Sequence, residues 1–96
     1  MSPLDALSRN RELIRAAVAR YPLVNPRVFG SVATGCDAVG SDLDLLVDPL
    51  PGATLFDLGG LQFELEVALG IAVDVLTLGD LPPRFRDSVV REALPL

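Results

Sequence analysis

Two groups of residues in this chain are of the types that handle phosphate and metal: the pair Gly30-Ser31 and, after a gap of ten residues, the pair Asp42 and Asp44. Glycine lets a backbone approach a ligand closely, and a serine at a helix start offers a hydroxyl and free N–H groups to phosphate oxygens. Residues i and i+2 of a strand point the same way with their Cα atoms roughly 6 to 7 Å apart, so the two carboxylates can converge. That geometry suits two divalent ions about 3.5 to 4 Å apart, which activate an attacking oxygen and stabilise a leaving one in phosphoryl or nucleotidyl transfer. Magnesium is the natural candidate, because it prefers oxygen ligands and is commonly bound through one or two carboxylates plus substrate phosphates.

A third carboxylate, Asp74, interrupts the apolar run IAVDVL. An aspartate there is desolvated at a cost unless a cation or hydrogen bonds compensate it. A neighbouring strand would carry it to the pair, where it could bind metal and accept the proton of an attacking hydroxyl.

What is absent narrows the chemistry further. The chain has no histidine, and all eight of its positive charges are arginine. Without histidine there is no Ser-His-Asp relay and no histidine-ligated zinc; without lysine there is no Walker-type phosphate loop and no Schiff base. Carboxylates must do the work. The net charge of -5 is the wrong sign for a protein that grips a nucleic-acid backbone by itself, so no direct nucleic-acid partner is expected. Single Cys36 excludes an internal disulfide and a multi-cysteine zinc site, and reads as a passive loop residue.

The elements that must position these residues follow from punctuation and periodicity. Ser2-Pro3-Leu4-Asp5 opens a helix expected to reach about residue 20, with Leu4, Leu7, Leu13, Ile14, Ala17 and Val18 as its apolar stripe. After Pro26 a short strand, 27–29, runs into Gly30 and a short helix beginning at Ser31. Residues 43–47 read as a strand with Asp42, Asp44, Leu46 and Asp48 on one face, and Asp48 as a solvated strand-end acid. A second helix starts at Thr54 or Asp57 and ends at Leu69 before Gly70, burying Leu58, Leu61 and Leu65, with Glu64 and Glu66 on its wet face. Residues 71–76 read as a buried central strand, and 84–93 as a last amphipathic helix. A calcium loop on Asp42, Asp44 and Asp48 is disfavoured, because Leu43, Leu45, Leu46 and Val47 make a stiff buried strand rather than a bent polar loop.

Ninety-six residues, half of them apolar, suffice for one core, so residues 1–96 are expected to form a single domain. No apolar run reaches the roughly 18 residues of a membrane span, and the amino terminus lacks secretory-signal order, so a cytoplasmic protein without a membrane partner is expected.

The segments FGSVATG, SDLDLLVD and AVDVL, with the closing RFRDSVVREALPL, resemble the polymerase-beta-type nucleotidyltransferases in their short, minimal branch. In that branch Gly-Ser is followed after ten residues by Asp-x-Asp, and Asp74 aligns with the third carboxylate. The resemblance spans most of the chain. It implies an α+β fold in two layers, with helices packed on a small mixed sheet. It also implies Asp42, Asp44 and Asp74 as catalytic metal ligands, Gly30 and Ser31 as the nucleotide-binding turn, ATP as substrate, and Mg2+, two ions by the geometry above, as cofactor.

Minimal nucleotidyltransferases of this size typically act as antitoxins beside a HEPN-type toxin, and some transfer AMP to a tyrosine of that toxin. The resemblance therefore implies protein adenylylation of a HEPN-type partner, and leaves a homo-oligomer open. The family often reads Gly-Ser-x-Ala-Arg-Gly, whereas Thr34 stands here in place of the arginine and removes a positive charge near the triphosphate. The alternatives are a module of the same fold that neutralises its partner by contact alone, and transfer to a small molecule, disfavoured because the usual extra acceptor-binding domain is absent.

Overall fold

The computed structural model describes residues 2–96. Helix α1 (Pro3–Ala19) begins with a reciprocal cap: the Asp5 N–H donates to Ser2 Oγ at 3.2 Å, and the Ser2 N–H donates to the Asp5 carboxylate at 3.4 Å. It kinks at Asn10 (φ -128°, ψ 22°), whose side-chain amide donates to the Ala6 carbonyl. The buried line passes through Ala6, Leu7, Ile14, Ala17 and Val18, so Leu4 and Leu13, expected in the stripe, instead flank it and stay exposed.

Strand β1 (Leu23–Phe29) is longer than the short strand after Pro26 suggested by the sequence. Its pairing with β2 (Leu43–Pro49) is irregular between Val24 and Arg27, where Asn25 takes a left-handed φ of 54°. Proline cannot donate to a ladder, and a bulge lets the strand continue past it. Asp48 clamps this bulge. It accepts from Asn25 Nδ2 at 3.0 Å and from Arg27 Nη2 at 2.6 Å, so it is committed to structure rather than standing free as a solvated acid.

A four-residue helix, α2 (Ser31–Thr34), follows β1, and α3 (Leu55–Leu69) follows β2. Strand β3 (Val73–Leu76) runs parallel to β2, while β1 is antiparallel to it. A 3-10 turn (Leu78–Asp80) and α4 (Pro83–Glu92) then lead to β4 (Leu94–Pro95), which pairs antiparallel with β1 through Val28 opposite Leu94. The sheet order is β3-β2-β1-β4. The chain is therefore a mixed sheet with helices packed on it, as the sequence implied. Strand β4 was hidden in a tail of two residues.

Strand β3 is an edge strand, not the central one its apolar run suggested. Its burial comes from α3, whose side chains also occupy its open edge: the Val75 N–H donates to Gln62 Oε1 and the Val73 N–H to Glu66 Oε2, both at 3.1 Å. Glu66 is thus part of the sheet's protection, and Glu64 pairs with Arg20 and accepts from the Tyr21 hydroxyl.

One core holds Leu7, Ile14 and Val18 of α1, Leu61, Leu65 and Leu69 of α3, and Leu43, Leu45, Val47, Val73 and Val75 of the sheet. Burying this many branched side chains, at about 1.5–3 kcal/mol each, is the main force that fixes the sheet beneath the site. Among the described residues no helix is long and apolar enough to cross a membrane.

Candidate active site

Alternation along β2 sends Leu43, Leu45 and Val47 into the core, which leaves Asp44 on the opposite face. The parallel register sets Asp44 directly beside Asp74, with Leu43 beside Val73. On the other flank, Asp44 pairs with Phe29, the last residue of β1, so Gly30 follows at the same end of the sheet. The Gly30-Ser31 turn and the carboxylates thereby meet at one corner, where β1 ends and β2 and β3 begin.

Gly30 is indispensable to that meeting. Its φ of 71° and ψ of -143° form a combination open only to glycine, and a Cβ placed on it would lie 2.3 Å from Asp44 Oδ2. From Gly30 the chain turns into α2, whose first N–H groups have no partners within the helix. Gly35, with φ 75°, closes it.

Asp44 is half-buried, and its pKa is pushed up from 3.8 to about 6. Burial is the largest cause, followed by the negative charges of Asp74 and Asp42 and by a hydrogen bond with Asp74, which requires a proton on one of the two. A carboxyl group that holds its proton well above the usual carboxylate range, as Asp44 does, has unmet demand for positive charge.

Asp42 is placed differently. It is exposed and stands one residue before β2 starts, so it acts on Asp44 through its charge. As the side chains stand, no three acidic groups among the described residues gather around one point. Asp44 and Asp74 are brought together; Asp42 sits at the rim. The donor set, carboxylate oxygens only, with crowding that raises Asp44, fits a hard divalent cation such as Mg2+.

The loop from Gly35 to Asp42 contributes two contacts that sequence reading missed. Asp37 Oδ2 accepts the Leu4 N–H at 3.0 Å, tying the loop to the start of α1, where the helix dipole favours an anion. The Ala38 N–H donates to Ser41 Oγ at 3.1 Å just before Asp42. The first depends on a partner that the fold supplies, whereas the second is a local contact within the loop. A cavity of about 300 Å³ opens beside this loop, between Val39 and Ser41 on one side and Ile71 and Ala72 on the other. Thr34 is exposed, and its hydroxyl donates back to the Gly30 carbonyl at 3.1 Å.

A Gly-Ser turn packed against two neighbouring strand carboxylates on a small mixed sheet is the arrangement expected of a nucleotidyltransferase. Residues 11–96 match the family described as "Nucleotidyltransferase domain". The chain belongs to that family and is a nucleotidyltransferase. It is 42% identical over 67 residues to MJ0435 of Methanocaldococcus jannaschii, provisionally named a protein adenylyltransferase, a match covering 70% of this chain and 72% of the relative. A solved structure provisionally described as a minimal nucleotidyltransferase superposes with a TM-score of 0.85 at 46% identity, over 97% of this chain and 95% of that one. A crystal structure described as a toxin-antitoxin with AMP-PNP shares the fold, with a TM-score of 0.76 at 23% identity over 90% and 71% of the two chains.

Proposed function

We propose that this chain is an antitoxin that transfers AMP from ATP to a hydroxyl, a tyrosine by preference, of a HEPN-type toxin. The observation that carries the reading is the contact of Gly30 with Asp44 beside Asp74, which joins the place for phosphates to the place for metal. Its relatives support it: one carries the name of a protein adenylyltransferase, and the toxin-antitoxin of the same fold was solved with an ATP analogue.

Asp42, Asp44 and Asp74 would hold Mg2+, which when bound supplies the positive charge that a triphosphate and a departing pyrophosphate require. The Ser31 hydroxyl and the free N–H groups at the start of α2 take phosphate oxygens. The acceptor oxygen bonds to the α-phosphorus as the bond to the β-phosphate oxygen breaks, and pyrophosphate leaves. Asp74 accepts the acceptor's proton, the role that histidine cannot fill in this chain.

Incubation with ATP, Mg2+ and the protein encoded by the adjacent gene, read by intact-mass spectrometry, tests this directly. A mass gain of AMP on the partner is expected. An unmodified partner that is nonetheless neutralised would leave the contact-only alternative in its place.

A further inference from the structure

Helix α3 is apolar on two sides. Leu61, Leu65 and Leu69 fill the core, yet Phe56, Phe63 and Val67 on the opposite side are 90%, 69% and 69% exposed. Successive helical residues turn by about 100°, which places these three within a narrow band, with Gly59 and Gly60 between the two phenylalanines. Glu64 and Glu66 border the band on either side without entering it. Scattered exposed apolar residues are ordinary, but a stripe with two phenylalanines and no charge is the mark of a surface that another protein covers.

The sequence of the stripe says which protein. Phe56-Asp57-Leu58-Gly59 and Gly60-Leu61-Gln62-Phe63 mirror each other about the glycine pair at every position except Asp57 and Gln62. Two copies of α3 packed antiparallel across a two-fold axis at that pair would set Phe56 of each against Phe63 of the other. A two-fold interface demands this reciprocity, in which residue i meets j and j meets i.

Gly59 points the same way. Glycine in a helix interior is destabilising relative to alanine, and Gly60 has a local reason, because a Cβ there would come within 3.2 Å of the Tyr21 ring. At Gly59 a Cβ would meet nothing within 4 Å in the isolated chain. Close approach of a second helix backbone supplies the reason the monomer lacks.

The area is sufficient. Phe56, Phe63 and Val67, with Leu55 at the margin (79% exposed), present on the order of 500 Å² per chain. Two copies would bury about 1,000 Å² from these residues alone, the threshold for a specific interface.

We propose that the chain forms a homodimer through the outer face of α3, with Phe56 and Phe63 packed across a two-fold axis at Gly59-Gly60. Each copy carries a net charge of -5, so added salt strengthens the association by screening repulsion. The active-site corner lies at the end of the sheet, away from this face.

Sedimentation velocity on the full chain, up to concentrations on the order of 100 µM, tests the proposal. A concentration-dependent dimer that tightens with salt is expected, with at least about tenfold weaker association in Phe63→Asp and in Phe56→Asp. Both side chains are exposed, so circular dichroism should show each variant folded. Gly59→Leu, whose side chain meets only open space in the isolated chain, should weaken the dimer while leaving the fold intact. A monomer at every concentration, a dimer indifferent to both aspartate variants, or a dimer that Gly59→Leu leaves unchanged would each overturn it.

Discussion

Gly30 and Asp44 lie so close that the smallest side chain on one would displace the other: a Cβ on Gly30 would stand 2.3 Å from Asp44 Oδ2. The turn proposed for phosphate and the carboxylate proposed for metal are thus one packed unit. Thirteen residues, α2 among them, separate Gly30 from Asp44 in sequence, and strand pairing closes the gap.

Gly30→Ala should therefore do more than strain the turn. The strained backbone should cost about 1–3 kcal/mol of stability, measured by urea denaturation. Nucleotide transfer should fall at least about a hundredfold, because the displaced Asp44 loses its alignment. Ser31→Ala, which keeps the backbone, should be far milder.

Asp44 couples stability to pH. Its folded pKa, about 6, lies above the 3.8 of an ordinary aspartate, so the fold favours the protonated form. The sign follows: the favourable contribution is fully present below about pH 3.8 and is lost as pH rises to about 6. Above that, an ionised Asp44 strains the metal-free chain. Asp44→Asn should raise metal-free stability at neutral pH by about 1 kcal/mol after discounting for solvent access, seen as a melting temperature about 4–8 °C higher. At about pH 4 the variant should gain little. Mg2+ should stabilise the parent chain and not the variant, because the carboxylate it would neutralise is gone.

Thr34 bears on the strength of the reaction. Its hydroxyl folds back on the Gly30 carbonyl and brings no charge to the phosphate turn. Thr34→Arg should lower the KM for ATP by about three- to tenfold, with a steeper loss of affinity in salt. Steady-state kinetics across ionic strengths would measure both.

Much of this site was legible in the sequence because it is local. Gly30-Ser31 and Asp42 with Asp44 announce themselves by residue type and spacing, and Asp74 by the apolar run it interrupts. The elements around them follow from caps: Ser2 with Asp5 opens α1, and Gly70 ends α3. What the sequence hid depends on distant partners. Strand β1 extends back to Leu23 only because Asp48 clamps the bulge at Asn25. Strand β3 looks central by composition, yet lies at the edge because Gln62 and Glu66 of α3 take up its free N–H groups. Asp42, read as the equal of Asp44, stands outside the strand and more exposed, since pairing begins one residue later.

We propose that these carboxylates transfer a nucleotide to a partner protein. The most direct measurement follows α-labelled ATP with Mg2+ and the adjacent gene's product, comparing the parent chain with Asp44→Asn and Asp74→Asn. Label on the partner, release of pyrophosphate, and loss of both in the two variants are the predicted results. An unlabelled partner, or labelling that persists in Asp44→Asn, would contradict the account.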